Sequence, residues 1–279
     1  MNFGFEIDKL IKDSLAEDIG TGDVTTLCTI PEERKAFGRF IAKQDAVICG
    51  IEVCERVFAL VDPEVEFCAN IKDGDKVKKG DVIATVRGRA QSLLTAERTA
   101  LNFLQHLSGV STKTAKYVEL VAGTGAHIAD TRKTTPMFRV LEKYAVRVAG
   151  GSNHRFGLSD GVLIKDNHIV AAGGITAAVK AVRARAPHTL KIEVEVENFD
   201  QLREALEVGA DIIMLDNMDD DMTREAISII NKRALVESSG NMDTRDITKI
   251  AKMGVDIISI GALTHSITAV DISLKFSLE

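Results

Sequence analysis

The sequence predicts an α/β protein in which an N-terminal α/β sandwich domain precedes an open or incomplete TIM-like α/β barrel. Apolar, strand-like runs alternate with amphipathic helical stretches through the second half of the 279-residue chain, a pattern typical of a parallel sheet covered by helices. Polar residues follow successive runs at a near-constant step, with 21 residues from Glu195 to Asp216 and 21 more to Glu237. The first 110 residues lack this step and carry short runs with Gly-Asp turns between them.

The N-terminal part is predicted to begin with a helix and to continue with short strands. The expected elements are a helix over 7–15, strands over 35–42 and 46–49, a helix over 53–61 and tight hairpins between residues 73 and 83. A helical pattern begins at Leu93 and repeats near 3.6 residues. Gly109 is expected to end that helix, before a further helix over 114–121.

The second part contains six predicted strands, fewer than the eight of a complete TIM barrel, and we therefore expect an open barrel. The strands are expected over 127–129, 162–164, 192–196, 212–215, 234–236 and 257–260, and the later helices over 176–186, 199–208, 220–232 and 244–253. Residues 270–278 alternate like an edge strand that returns to the first domain. We assign residues 1–110 and 267–279 to the sandwich domain, and residues 111–266 to the barrel that carries the active site.

The charge pattern favours small anionic ligands over nucleic acid. The net charge of −6 argues against a general nucleic-acid surface. Residues 130–168 nevertheless hold seven Lys and Arg against four Asp and Glu, so that a local basic site is expected in an acidic chain. For Lys143 and Arg147 a solvated helix face is an equal alternative.

Sequence features also bear on the expected compartment. No apolar run approaches the roughly 20 residues that span a bilayer, and the first 15 residues do not resemble a signal peptide. The four cysteines form no CxxC motif, which makes zinc binding improbable and favours reduced thiols. We expect a cytoplasmic protein without membrane contact.

Basic and acidic side chains are predicted to meet at the carboxyl ends of the strands. Arg132, Arg155 and Lys165 indicate a ligand with carboxylates or phosphates, because unpaired buried cations cost several kcal/mol each in desolvation. The alternative is that acids of the protein neutralise them. Glu195 and Asp216 suit hydrated Mg²⁺ or sugar hydroxyls, and the alternative pairs them with neighbouring Lys and Arg.

Small residues follow the last two strands. Ser239-Gly240-Asn241 and Gly261 leave backbone N–H groups for a phosphate, and His265 could add a donor. Simple turn chemistry is the alternative. The chain contains no GxSxG, HExxH or Walker motif. Lys165 at a strand end keeps a Schiff-base carbon–carbon lyase open.

An ordered set of motifs resembles the quinolinate phosphoribosyltransferase family over nearly the whole chain. The motifs are the segments 17–26, 97–102, 130–136, 150–155, 163–168, 193–195, 215–217 and 259–266. The resemblance implies an enzyme of NAD biosynthesis. Such an enzyme transfers the phosphoribosyl group of phosphoribosyl pyrophosphate to quinolinate with decarboxylation, and gives nicotinate mononucleotide, pyrophosphate and CO₂.

The resemblance also implies residue roles and an assembly. Mg²⁺ is the implied cofactor, and the implied assembly is at least a homodimer with shared active sites. Arg98 would reach the active site of the partner subunit, and the two carboxylates of quinolinate would be bound by Arg132, His154, Arg155 and Lys165. Catalysis would involve Lys133, Glu195 and Asp216, and the metal would be bound by Glu195 and Asp216. The 5-phosphate would be bound by Ser239, Gly240, Asn241, Gly261 and His265.

Two residues depart from the family pattern. Met137 stands where the family usually has Gly, and Ser152 replaces a common third Gly. Both put the local loop shape in question. Three other functions stay open: a phosphoribosyltransferase for nicotinate, a non-catalytic sensor of phosphoribosyl pyrophosphate, and the Schiff-base lyase.

Overall fold

The computed structural model describes residues 4–278, and the chain divides into two compact units. The first unit contains the chain up to Lys113, residues Val140–Ala149 and the chain from Ile267 on. The second contains Thr114–Arg139 and Gly150–Ser266. Within the described residues, no helix is both long enough and apolar enough to cross a membrane.

Helices and strands alternate through the chain. The helices are α1 (Gly4–Ile19), α2 (Val24–Thr29), α3 (Ile51–Val61), α4 (Ala90–Leu120), α5 (Arg139–Val148), α6 (Asp166–Ala172), α7 (Ile175–Arg185), α8 (Phe199–Glu207), α9 (Asp220–Ile230), α10 (Ile247–Lys252) and α11 (Ala262–His265). The strands are β1 (Lys35–Ala42), β2 (Ala46–Val47), β3 (Glu66–Ala69), β4 (Lys76–Val77), β5 (Val82–Arg89), β6 (His127–Ala129), β7 (Val162–Ile164), β8 (Ile192–Val196), β9 (Ile212–Asp216), β10 (Leu235–Ser239), β11 (Ile257–Ser259) and β12 (Ile272–Leu278).

An antiparallel sheet forms the framework of the first unit, with the strand order β12-β1-β5-β3. Strand β1 alternates between exposed or half-buried and buried residues, as expected for a sheet with one face on the core. Its buried Phe40 meets Phe58 of α3 edge to face, with ring centroids 6.0 Å apart. The C-terminal strand β12 takes the sheet edge beside β1, where the alternation of residues 270–278 led us to expect it.

Two local predictions for this unit were wrong. Strand β4 pairs with β2 rather than forming a hairpin with β5, because the turn at Gly80 (φ +100°) passes the chain to the other sheet. Gly109 does not end a helix but lies inside the 31-residue α4. A Cβ at Gly109 would lie 2.5 Å from the carbonyl oxygen of Thr268, so glycine serves close backbone approach there.

Helix α5 is where the structure and the predicted domain boundaries differ. We assigned all of 111–266 to the barrel, but Val140–Ala149 group with the first unit, and the boundary in α4 falls after Lys113. The buried face of α5 explains this grouping. Tyr144 donates a hydrogen bond of 2.7 Å to Asp73, and the carbonyl of Ala145 accepts one from Ser111. Lys143 is buried at 3% exposure, so the solvated-face alternative does not hold for it.

The second unit is an open barrel, as predicted. Its six parallel strands follow the order β6-β11-β10-β9-β8-β7. The two ends of this order, β6 and β7, are not paired with each other among the described residues. Ala129, the last residue of β6, pairs with Ser259 of β11 and forms an isolated bridge to Ser152. All six predicted strands are present, and the largest difference is at β10, which ends at Ser239, three residues beyond its predicted end at Val236.

Side-chain caps set where the outer helices begin. Asn198 caps α8 by accepting from Gln201 N, and Asp219 caps α9 by accepting from Asp221 N and Met222 N. Helix α10 begins at Ile247 rather than at the predicted Thr244, because Asp246 is its cap and Thr244 instead closes a turn onto Asn241. Each of these helices returns the chain to the start of the next parallel strand, so the carboxyl ends of the strands lie on the same rim of the barrel.

Candidate active site

A cavity of about 740 Å³ lies at the carboxyl ends of the barrel strands. Every predicted site residue lines it except Arg98, which is exposed on α4 and belongs to the first unit. The predicted residues that line the cavity are Arg132, Lys133, His154, Arg155, Lys165, Glu195, Asp216, Ser239, Gly240, Asn241, Gly261 and His265.

Asp130 organises the loops on the cationic side of the cavity. It follows β6 and is fully buried, and its carboxylate accepts hydrogen bonds from the backbone N–H of His154 (2.9 Å) and from the side-chain amide of Asn153. A charged acceptor in a dry setting makes strong hydrogen bonds. Asp130 therefore holds residues 153–154, which precede Arg155, next to the end of β6, the strand that precedes Arg132.

Arg155 is held by a carbonyl rather than by an acid. Its Nη1 donates to the carbonyl of Gly161 at 3.1 Å. Partial burial lowers the pKa of Arg155, the charge of Arg132 lowers it further, and Glu193 and Asp160 act in the opposite direction. Neither guanidinium makes an ion pair with a carboxylate in the described part of the chain. The charges of Glu193 and Asp160 thus act on Arg155 without a direct ion pair, and the full neutralisation that the alternative interpretation required is not found among the described residues.

Within residues 4–278, Lys165, unlike Arg132 and Arg155, forms an ion pair with an acid of the protein. It caps α6 directly after β7, and its backbone N–H donates to Nδ1 of His168 at 3.0 Å. Its ammonium forms an ion pair with Glu195, whose side chain is only 10% exposed. Pairing with a neighbouring Lys was the alternative that the sequence left open for Glu195, and the structure shows that pairing.

Asp216 is connected to the glycine-rich loop by Asn217, a residue that our sequence analysis did not place in the site. Nδ2 of Asn217 donates to Asp216 at 2.8 Å, and its Oδ1 accepts from Asn241 at 3.1 Å. Asn217 and Asn241 both have positive φ, at 53° and 51°. Gly240 has φ +92°, and a Cβ there would lie 2.2 Å from Asn217 Oδ1, so glycine is required. Asparagine after a strand was the available signal, since it tolerates this conformation.

Lys133 lies beside the other glycine loop. A Cβ on Gly261 would lie 3.0 Å from both the Lys133 side chain and the His265 ring, so these two side chains flank the glycine. The Thr264 hydroxyl donates to the carbonyl of Lys133 at 2.7 Å. The segment after β11 and the segment after β6 are thereby joined, and Lys133, Gly261 and His265 form one corner of the cavity.

The barrel interior contains a polar cluster of His154, Glu193 and Glu237 that the sequence analysis missed. Nε2 of His154 lies 3.0 Å from Glu193 and 3.6 Å from Glu237. In the part of the chain that the structure describes, Oε1 of each of these buried glutamates has no hydrogen-bond partner. Burial raises the pKa of Glu237 to about 7, and the charge of Glu193 adds to this effect. Glu193 and Glu195 share one face of β8, and this alternation could have revealed an inward glutamate.

Geometry argues against a metal in this cluster, although its ligand atoms lie within 4.8 Å of one another. Nδ1 of His154 accepts the backbone N–H of Arg155 at 2.8 Å. A neutral imidazole carries one proton, so that proton is on Nε2, and a protonated nitrogen cannot bind a metal. Both ring nitrogens of His154 are therefore engaged within the protein.

The two departures from the family pattern have clear structural settings. Met137 is 79% exposed and has φ +66°, the conformation that favours glycine. The loop thus keeps the backbone shape of a glycine position despite the methionine. Ser152 does not have positive φ, and its backbone makes the bridge to Ala129, which any residue permits.

Comparisons with known proteins agree with this architecture. The family models described as quinolinate phosphoribosyl transferase, N-terminal domain and C-terminal domain, match residues 23–108 and 110–275. The chain is 43% identical over 273 residues to the probable nicotinate-nucleotide pyrophosphorylase (carboxylating) of Bacillus subtilis (strain 168), covering 98% of this chain and 94% of that protein. It is 42% identical to the quinolinate phosphoribosyltransferase (decarboxylating) 2b, mitochondrial, of Nicotiana tabacum, covering 99% and 83%.

A solved structure extends the similarity to three dimensions. The crystal structure of NadC from Streptococcus pyogenes is 44% identical and matches with a TM-score of 0.93, covering 99% of this chain and 98% of that one. Sequence and structure thus agree over both units. The chain belongs to the quinolinate phosphoribosyltransferase family.

Proposed function

We propose that this chain transfers the phosphoribosyl group of phosphoribosyl pyrophosphate to quinolinate, with loss of CO₂, and forms nicotinate mononucleotide and pyrophosphate. The observation that carries the proposal is the composition of one cavity. Arg132 and Arg155 lie on one side without carboxylate partners among residues 4–278, and the acids and glycine loops lie on the same rim. A small dianion next to a sugar phosphate fits this arrangement.

The two arginines are suited to the two carboxylates of quinolinate. A guanidinium presents a planar pair of donors that matches a carboxylate. An anion bound near both side chains also offsets the two effects that lower the pKa of Arg155, its burial and the charge of Arg132. Lys165 is the third cation in this part of the cavity. To bind a substrate carboxylate, its ammonium must either contact that carboxylate together with Glu195 or leave Glu195.

Asp216, Glu195 and the glycine loops are suited to the sugar phosphate. Carboxylates accept hydrogen bonds from ribose hydroxyls, and Asn217 holds Asp216 in place for that role. The loops at Gly240 and Gly261 let backbone N–H groups approach a phosphate closely. Lys133 lies next to Gly261 and carries the positive charge for the phosphate groups.

Glu195 and Asp216 also fit the implied Mg²⁺. Both offer hard oxygen ligands in the same cavity, and Mg²⁺ in enzymes of phosphate chemistry is held by one or two carboxylates together with substrate phosphates. When bound, the ion would neutralise charge on the pyrophosphate leaving group.

The reaction needs no covalent enzyme nucleophile. The pyridine nitrogen of quinolinate forms a bond to C1 of the ribose, and the bond from C1 to pyrophosphate breaks with its electron pair on the departing oxygen. The carboxylate next to the ring nitrogen then leaves as CO₂, its bonding electrons pass to the ring carbon beside the positive nitrogen, and a proton replaces it. Lys133 stabilises the pyrophosphate, and Arg132 and Arg155 hold the acceptor in line.

The assembly and the location are also part of the proposal. We expect a homodimer at minimum, in which Arg98 of one subunit completes the site of the other. Arg98 is exposed on α4, as this role requires. A cytoplasmic location remains a prediction from the sequence.

One assay separates the proposed function from its rivals. Pyrophosphate and CO₂ release are measured with quinolinate and, in parallel, with nicotinate. We expect both products from quinolinate only. Pyrophosphate without CO₂ from nicotinate would identify the nicotinate enzyme, and binding of phosphoribosyl pyrophosphate without turnover would identify a sensor. Borohydride trapping at Lys165 would identify a Schiff-base lyase.

A further inference from the structure

We propose that Arg139 is a positioning residue that sets the spacing between Arg132 and Arg155, and thereby the affinity for a dicarboxylate acceptor. The inference rests on the proposed function, because it concerns the same cationic side of the cavity. Arg139 does not line the cavity and was not among the predicted site residues.

The guanidinium of Arg139 joins the two loops that carry these cations. Nη2 donates to the carbonyl of Arg132 at 3.3 Å, and Nη1 donates to the carbonyl of Phe156, the residue after Arg155, at 3.1 Å. Nε donates to the hydroxyl of Thr134 at 3.0 Å, on the Arg132 loop. One rigid, planar group thus binds three oxygens on two segments, and Phe156 on the second segment lies 17 residues after Arg139 in the chain.

The rest of the Arg155 loop is held by bonds within itself. The carboxylate of Asp160 accepts from the backbone N–H of Phe156 and of Gly157, and Arg155 itself donates to the carbonyl of Gly161. Asp130 fixes the base of this segment through the N–H of His154. Arg139 therefore binds these loops further from the barrel, at the carbonyl of Arg132 itself and at that of Phe156, the exposed residue next to Arg155.

The spacing matters because both the ligand and the cations constrain it. The two carboxylates of quinolinate are attached to neighbouring ring carbons, so their separation is fixed. Burial lowers the pKa of Arg155, and repulsion from the charge of Arg132 lowers it further, so the two like charges oppose close approach. A clamp that holds the two backbones together before the ligand arrives reduces the ordering cost of binding. A lysine could not replace it, because one ammonium cannot span three oxygens in this planar arrangement.

The test compares Arg139→Gln and Arg139→Lys with the wild-type enzyme and with Arg224→Gln. Arg224 is a matched control, since it is a half-exposed arginine on α9 of the same unit that pairs only locally with Asp221. We expect the KM for quinolinate to rise at least about tenfold in Arg139→Gln, the size expected for losing bonds from a charged donor. The KM for phosphoribosyl pyrophosphate should stay within about twofold, and Arg139→Lys should restore only part of the loss.

The outcomes distinguish a positioning role from a structural one. An unchanged KM for quinolinate in Arg139→Gln, or an equal rise for both substrates, overturns the inference. Should Arg139→Gln fail to fold, the quinolinate dissociation constant of folded Arg139→Lys, measured by calorimetry, decides in the same way. A wild-type enzyme that does not turn over quinolinate would instead overturn the proposed function, a result visible before any variant is made.

Discussion

Nε2 of His154 lies 3.0 Å from Oε2 of Glu193 inside the barrel, and this nitrogen carries the ring's proton. Oε1 of Glu237 lies 3.6 Å from the same nitrogen. A second full negative charge in this buried space is unfavourable, and one glutamate is therefore best accommodated as the neutral acid. The cluster connects the active-site segment at Arg155 to the barrel interior.

Replacing Glu237 with glutamine should change how stability depends on pH. The folded pKa of Glu237 is raised from its ordinary value of 4.5 to about 7. A raised pKa gives stability that is present below pH 4.5 and lost as pH rises through 7. The free energy of unfolding of Glu237→Gln minus that of wild type should therefore increase from pH 5 to pH 8, by on the order of 2 kcal/mol. Urea unfolding at the two pH values measures it.

Exposed Glu225→Gln on α9 is the control for that experiment. It should give the same difference from wild type at both pH values. If the Glu237→Gln and wild-type curves stay parallel from pH 5 to pH 8, the neutral-acid interpretation is wrong.

Asn217→Ala should weaken binding of phosphoribosyl pyrophosphate. The change removes the bonds to Asp216 and Asn241 and leaves a non-glycine residue at φ 53°. Two lost hydrogen bonds at about 1 kcal/mol each predict roughly a tenfold or greater rise in the KM for this substrate. Steady-state kinetics measure it. Asn231→Ala is the control, because Asn231 has φ 44° at the end of α9 and carries the same backbone strain outside the cavity. Equal effects of the two variants would contradict the prediction.

Met137→Gly should stabilise the chain slightly. The backbone at Met137 has φ +66°, which costs a residue with a Cβ about 1 kcal/mol, and the exposed side chain contributes little packing. Greater freedom of glycine in the unfolded chain offsets part of this gain. We expect an increase in unfolding free energy of up to about 1 kcal/mol in urea titrations. Leu158→Gly, at an exposed residue without positive φ, should instead destabilise; the same sign for both would refute the strain argument.

Arg132→Ala should abolish turnover of quinolinate without unfolding the chain. Arg132 is exposed and contributes no buried side chain to the core, but it supplies half of the paired cations. We expect kcat/KM to fall by at least about a hundredfold, with a thermal melting temperature close to that of wild type. Near-normal turnover of the purified variant would remove Arg132 from the site.

Mixing two inactive variants tests the proposed dimer. An Arg98→Ala subunit and an Arg132→Ala subunit should each lack activity alone. In a heterodimer, one of the two sites would combine an intact Arg98 with an intact Arg132, and about a quarter of wild-type activity is expected in a random mixture, since about half of the dimers are mixed. A confirmed heterodimer without activity would contradict a site shared between subunits.

The strand ends were predictable, whereas the contacts between distant segments were not. Lys165 directly follows β7, Asp216 ends β9 and Arg132 lies three residues after β6, and parallel strands bring such residues to one rim. Gly109 misled the prediction because a glycine that ends a helix and one that admits a neighbouring backbone look alike in sequence. The close approach of Thr268 becomes visible only in three dimensions.

Interior polar groups illustrate the same limit. Glu193 and Glu195 are two residues apart on β8, yet one lies in the buried cluster with His154 and the other pairs with Lys165. Alternation along the strand predicts that both face one side, but not how deep each lies. The role of His154 also depends on a backbone N–H that no pattern of residue types encodes.

The gap between β6 and β7 has a consequence for how acceptor choice can evolve. Arg132 follows β6 and Lys165 follows β7, so the part of the cavity that we propose for the acceptor rests on the two edge strands of the sheet. Asp216 and the Gly240 loop rest on strands with neighbours on both sides. Loops at the margins can lengthen or shift without breaking a ladder of backbone bonds. If the proposed roles hold, a change in these edge loops would alter which ring acid is accepted and leave the proposed ribose phosphate contacts in place.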